Sequence, residues 1–204
     1  TGSIEGTGVD NSGLIEAAKA ELQAQGNLYS LAINNSGTIQ ATAVVEEGGK
    51  IYLRADGGTV QNTGTLRAEV VDLKGTINGG TIDVNAGTVL FQQGSLADVS
   101  GHHAGALTIV GDRIGLAGTL RANADVDGRI GHVRINSTGM TVMLGTSLIE
   151  ARGGEVRINQ PGAGGFTGVY ANTVTRMYRG ATITTVGGAT DGFVEVSGAV
   201  LNVD

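Results

Sequence analysis

His102 and His103 stand side by side between Gly101 and Gly105, His132 lies further along, and Asp125 and Asp127 are the only carboxylates placed to join them. Imidazole and carboxylate donors hold a transition metal only when three or four converge on one point. A histidine pair in a glycine-flanked corner reads instead as solvated turn residues, and no metal is expected. Asp125 and Asp127 are also a close acidic pair, and glycan hydrolysis would need an acid and a base on one face. In a stretch that ends at Gly128 they read as turn formers. The run from Gly162 to Gly168 approaches a dinucleotide fingerprint, but its third glycine is displaced by one position and no strand–helix–strand unit surrounds it. The serine elbow, the zinc-protease helix motif, the phosphate loop and the tandem calcium-binding nonapeptide are all missing. With no cysteine in the chain, thiolate zinc, disulfides and a cysteine nucleophile are excluded. No catalytic residue, cofactor or metal is expected, and the chain does not read as an enzyme. The side chains left with chemistry to offer are Arg134 and Arg157, whose guanidinium forks suit carboxylates or sulfates.

What positions those arginines is a repeat. Glycine makes up 36 of 204 residues with a single proline, so the chain turns often without being collagen-like, and 40% hydrophobic residues with a mean hydropathy of +0.09 argue for a folded protein. One series follows Gly-x-[Ile/Leu]-x-Ala, at Gly13–Ala17, Gly37–Ala41, Gly64–Ala68 and Gly118–Ala122, with looser copies at Ile82, Leu96, Ile149 and Ile183. Asn11-Ser12, Asn35-Ser36 and Asn62-Thr63 precede three copies, and the pattern suggests corners with asparagine in the left-handed region and glycine at positive φ. A second series alternates apolar, any, apolar around Ile51, Val71, Val89, Leu107, Val133, Val156 and Val194. Alternation sends the outer pair to one face of a short strand and the middle residue to the other. The outward set is then Tyr52, Asp72, Leu90, Thr108, Arg134, Arg157 and Glu195.

Steps of roughly 20 residues match one solenoid coil. The two series alternate along the chain, and no amphipathic helices intervene. The expected fold is all-β, a parallel β-helix of roughly ten coils and on the order of 50 Å long. Residues 14–33 contain helix formers, yet Gly13–Ala17 fits the strand repeat and the extended reading is preferred. The segment around Pro161 reads as a loop. Both ends read as strand without a polar cap, as if cut through a longer rod. A net charge of −6, a pI near 5.0 and only three lysines make nucleic acid or an anionic membrane an unsuitable partner. No apolar run is long enough to span a bilayer as a helix, and membrane insertion is not expected.

The run from Gly26 to Thr42 (GNLYSLAINNSGTIQAT) resembles the end of the secretion domain of filamentous-haemagglutinin-like exoproteins of two-partner secretion systems, and Gly94–Gly101 (GSLADVSG) and Asp191–Gly198 (DGFVEVSG) are similar to that family's downstream repeats. The resemblance implies a right-handed β-helical adhesin carried across a Gram-negative outer membrane by a dedicated transporter to the cell surface or beyond. It divides the chain into residues 1–45, the end of a secretion-domain-like segment, and residues 46–204, a β-helical repeat region continuous with it. The Asn-Pro-Asn motifs of the early secretion domain are missing, which places the chain just after the complete signal. The expected partners are the transporter during export and a polysaccharide or host surface afterwards, with the chain a monomeric stretch of a longer rod. The alternative is a stalk that presents a distal toxin or lectin domain.

Overall fold

A computed structural model describes residues 4–24, 29–44, 49–125, 127–159, 173–187 and 192–204. Among them all regular structure is β-strand, arranged as a solenoid of about six turns. Each coil contributes three strand segments to three faces. The first face stacks β1 (Ile4–Asn11) and β4 (Tyr29–Asn35), then the second halves of β6 (Lys50–Asn62), β9 (Thr81–Phe91), β11 (Ala106–Leu116) and β13 (His132–Met143), then β16 (Val174–Met177) and β19 (Val200–Val203). The second face stacks β2 (Leu14–Ala17), β5 (Thr38–Val44), β7 (Thr65–Val71), β10 (Leu96–Asp98), β12 (Thr119–Arg121), β14 (Leu148–Glu150) and β17 (Thr182–Thr184). The third face stacks β3 (Lys19–Gln23), the first halves of β6, β9, β11 and β13, then β15 (Glu155–Ile158) and β18 (Phe193–Val196). All this pairing is parallel. The exception is β8 (Ile77–Gly79), which folds back antiparallel on the end of β7.

Period-two alternation does what the sequence suggests. In β9 the residues Ile82, Val84 and Ala86 are buried while Thr81, Asp83 and Asn85 point out. Register then converts alternation into columns: Ile51, Ile82, Leu107, Val133, Val156 and Val194 lie above one another on the third face. On the second face the column is Ile15, Ile39, Leu66, Ala97, Leu120, Ile149 and Ile183. Burying one such aliphatic side chain contributes about 2 kcal/mol, so the stacked columns are the main favourable term. Residues 14–24 are extended, as β2 and β3. The Pro161 loop and the Gly162–Gly168 run lie outside the described residues.

The expectation of ten coils is corrected to about six turns. From Ile15 to Ile39 is 24 residues, and the later steps of that column are 27, 31, 23, 29 and 34. The rod is thus nearer 30 Å than 50 Å at the spacing of paired strands. The shorter period arose because the second series mixes faces. Ile51, Leu107, Val133, Val156 and Val194 share a column, but Val89 belongs to the first face with Val60 and Ile114, and Val71 ends β7 where the hairpin to β8 begins. Ile82 is the missing third-face member. Leu96 faces outward, and Ala97 takes the inward position.

The corners also work differently from the expectation. Among the described residues Asn159 is the one non-glycine at positive φ, and Gly13, Gly37 and Gly64 are not at positive φ. Asn11, Asn35 and Asn62 point inward instead and form a ladder: Asn11 Nδ2 donates to Asn35 Oδ1 at 2.7 Å, and Asn35 Nδ2 to Asn62 Oδ1 at 2.7 Å. Above it the same column continues as Phe91, Leu116 and Met143. Glycine is required at the corner for space. A Cβ on Gly64 would fall on the carbonyl oxygen of Gly37, whereas a Cβ on Gly13 would meet nothing.

Two predictions follow from these positions. Gly64→Ala should lower the melting temperature by several degrees, while Gly13→Ala leaves it unchanged or slightly higher because it only restricts the unfolded chain. Val133→Asp, which buries an unpaired charge, should cost at least ~3 kcal/mol, and Arg134→Asp one position along should stay within about 0.5 kcal/mol. Denaturant melts of the four variants check both.

Candidate functional site on the third face

The outward column of the third face runs Glu21, Tyr52, Asp83, Thr108, Arg134, Arg157 and Glu195, each the in-register partner of the next. Arg134 and Arg157 are therefore brought together on adjacent rungs, as the repeat predicts. Asp72 and Leu90 do not belong to that column. Asp72 sits in the hairpin turn, where its carboxylate accepts from the backbone N–H of Lys74 at 2.8 Å and Thr76 at 2.9 Å, and Leu90 lies on the first face. Asp83 takes the place that the sequence reading gave to Asp72.

Like charges on adjacent strands disfavour pairing unless they are neutralised. Arg157 is neutralised: its Nε lies 3.1 Å from Glu155, its Nη1 3.4 Å from Glu195, and its guanidinium rests 4.9 Å from the Phe193 ring centroid. Arg134 is exposed and forms no ion pair among the described residues. Glu155 also faces His132 at 3.5 Å. The hydrogen bond from Arg157 holds the Glu155 carboxyl below its usual range against the opposing effect of burial.

Two rungs from Arg134, Asp83 is partly buried and has neither a hydrogen bond nor an ion pair among the described residues. Burial pushes its carboxyl up, with the charge of Arg54 opposing. Tyr52 on the preceding rung has Lys19 5.0 Å and Arg54 4.9 Å from its ring centroid, and both cations also reach Glu21 at 3.5 Å. The column thus contains one unneutralised guanidinium and one unpartnered carboxyl with Thr108 between them.

The histidines fall at the corner between the second and third faces. His102 Nδ1 lies 3.3 Å from Asp125 Oδ2 and 3.7 Å from Asp127 Oδ1, while His103 Nδ1 accepts the backbone N–H of Arg129 at 2.9 Å. His132 belongs to the third-face strand and turns to Glu155. Among the described residues no three histidine, cysteine or acidic side chains are grouped to hold a metal ion. The second face carries a feature that the sequence reading missed, an outward ladder of alternating sign: Arg67, Asp98, Arg121 and Glu150. Arg121 pairs with Glu150 at 2.7 Å, and Arg67 lies 3.9 Å from Asp98 and 3.7 Å from Glu69. For Arg67, Arg121 and Glu150 the signal was present in the residue that follows the inward Ile or Leu of the repeat, whereas Asp98 follows Ala97 because Leu96 faces outward.

The two shifted carboxyls give opposite pH dependences. Asp83 is held protonated to higher pH in the folded chain than in the unfolded one, so its ionisation removes stability as pH rises through the folded value. Asp83→Asn should raise the melting temperature at pH 7 and have little effect near pH 2. For Glu155 the folded value is depressed, so its contribution is present at neutral pH and lost as pH falls through that value. Glu155→Gln should lower the melting temperature at pH 7, with the difference closing near pH 2. Thermal melts at the two pH values check both signs.

No family model, no characterised protein and no solved structure matches the chain, so its function must be argued from this geometry and from the sequence resemblance.

Proposed function

We propose that the chain is a non-catalytic β-helical segment of a large secreted adhesin, which attaches to surfaces, cells or matrix polysaccharide. The observation that carries this reading is Arg134: unlike its in-register neighbour Arg157, which Glu155 and Glu195 hold, it is an exposed guanidinium on a sheet face with no ion pair among the described residues. The resemblance of residues 26–42 to a secretion domain supplies the route, export through an outer-membrane transporter to the surface of a Gram-negative bacterium. The chain then acts by geometry. A stacked rod displays a fixed row of side chains to a long polymer, and many weak contacts along such a rod sum to firm attachment. The net charge of −6 speaks against nucleic acid.

The paired ladder Arg67, Asp98, Arg121, Glu150 favours the second reading, a spacer that presents a distal domain, because its charges already satisfy one another. A β-helix that cleaves polysaccharide would need a second carboxyl near Asp83, and its in-register neighbours are Tyr52 and Thr108.

Retention of acidic and neutral polysaccharides on immobilised protein tests the proposal. At low ionic strength the wild type should retain an acidic polymer, Arg134→Ala should retain several-fold less, and high salt should weaken wild-type retention. Incubation should release no shorter products. Failure to retain any acidic polymer, or product release by the pure protein, would contradict it.

A further inference from the structure

The third face is not uniformly flat. On β9 the outward residues are Thr81, Asp83 and Asn85, and on β11 they are Ala106, Thr108 and Val110. All six are short. The rung before them carries Lys50, Tyr52 and Arg54, and the rung after them carries His132 and Arg134 ahead of the short Asn136, so long side chains border the short ones on both sides over most of the strand. The bordering backbones are three rung spacings apart, about 14 Å, which leaves a trough about one glycan chain wide between their side chains. The trough runs along the strands, across the axis of the rod.

Its chemistry is two-sided. Arg134 on one edge offers an unpaired fork of donors shaped for a carboxylate. Asp83, in the floor toward the other edge, is an acceptor without a donor, and a partly buried polar group in that condition costs free energy until one arrives. Register places the two residues two rungs apart, about 10 Å between backbones, with the Thr108 hydroxyl between them. A hexuronic acid matches this arrangement: its carboxylate projects from one edge of the ring and its vicinal hydroxyls from the opposite edge.

The axial direction is less suitable. A polymer that continued from Arg134 along the rod would next meet Arg157, whose guanidinium is already taken by Glu155 and Glu195.

We infer that the trough between Tyr52 and Arg134 binds a single chain of a uronic-acid polysaccharide, laid along β9 and β11 with a carboxylate on Arg134 and ring hydroxyls on Asp83. This rests on the reading of the chain as a polysaccharide-binding rod and assigns that rod a site and a ligand class. The third-face part of β9 is six residues, about 20 Å, enough for roughly four sugar rings.

The test titrates purified protein at low ionic strength with oligogalacturonates of increasing length, with neutral oligosaccharides of equal length and with dextran sulfate. Affinity for the oligogalacturonates should rise to about four units and then level off, and the neutral series should bind at least tenfold more weakly. Arg134→Ala should weaken both acidic ligands. Asp83→Ala should weaken oligogalacturonate about tenfold and leave dextran sulfate unchanged, since a sulfate needs no acceptor on the opposite edge. Thr108→Trp, which fills the floor from an outward position, should abolish oligogalacturonate binding while the melting temperature is retained. If Arg134→Ala weakens binding but Asp83→Ala and Thr108→Trp bind as the wild type does, the trough is overturned and the adhesive reading stands. If the wild type holds neither acidic ligand, both are overturned.

Discussion

Everything in this chain depends on one constraint: parallel backbone pairing holds successive coils in register about 4.8 Å apart, so each residue lies directly on its counterpart in the coil below. Ile51, Ile82, Leu107, Val133 and Val156 form a continuous buried column because of it. The same spacing leaves no room for a side chain where corners stack closely, which is why Gly64 sits on the carbonyl of Gly37. It also turns isolated asparagines into a ladder, since the amides of Asn11, Asn35 and Asn62 come into hydrogen-bonding range only when the rungs align. A neutral amide bond of this kind contributes about 1 kcal/mol net. Its larger effect is on specificity, because a one-residue slip would leave buried amides without partners.

Outside the rod, register imposes an electrostatic rule: any repeated charge meets its own kind one rung away. The second face meets it by alternation, Arg67 with Asp98 and Arg121 with Glu150. Arg157 meets it by borrowing Glu155 and Glu195 from its own and the following rung. Within the third-face column Arg134 and Asp83 are left without partners among the described residues, one exposed and the other partly buried, two rungs apart.

Much of this was legible in the sequence because alternation with period two survives any error in coil length. The inward phase of Val133 and the outward phase of Arg134 and Arg157 follow from it directly, while the stacking of the two arginines needs in addition the step from Val133 to Val156, which the second series counts within one face. The coil count was not legible, because loops of unequal length separate the faces and a ~20-residue step arises when Val89 of the first face is counted with Leu107 of the third. The same slip put Asp72 and Leu90 in the outward column and left out Asp83. The reason for the corner glycines was also hidden, since a close approach between coils leaves the same mark in a sequence as a positive φ. Neutralisation of Arg157 depends on Glu195, 38 residues away, and becomes visible only once the register is known.

The register itself is the central claim, and a chain without cysteine lends itself to a direct measurement. Two cysteines introduced at outward positions of adjacent rungs lie within disulfide range only if those rungs are in register. Under mild oxidation the pair Asp83→Cys with Thr108→Cys should form an intramolecular disulfide in high yield, while the pair Leu90→Cys with Thr108→Cys, which a ~20-residue coil would align, should remain reduced. Efficient cross-linking of the second pair, with none of the first, would contradict the stacking on which the rest of this account is built.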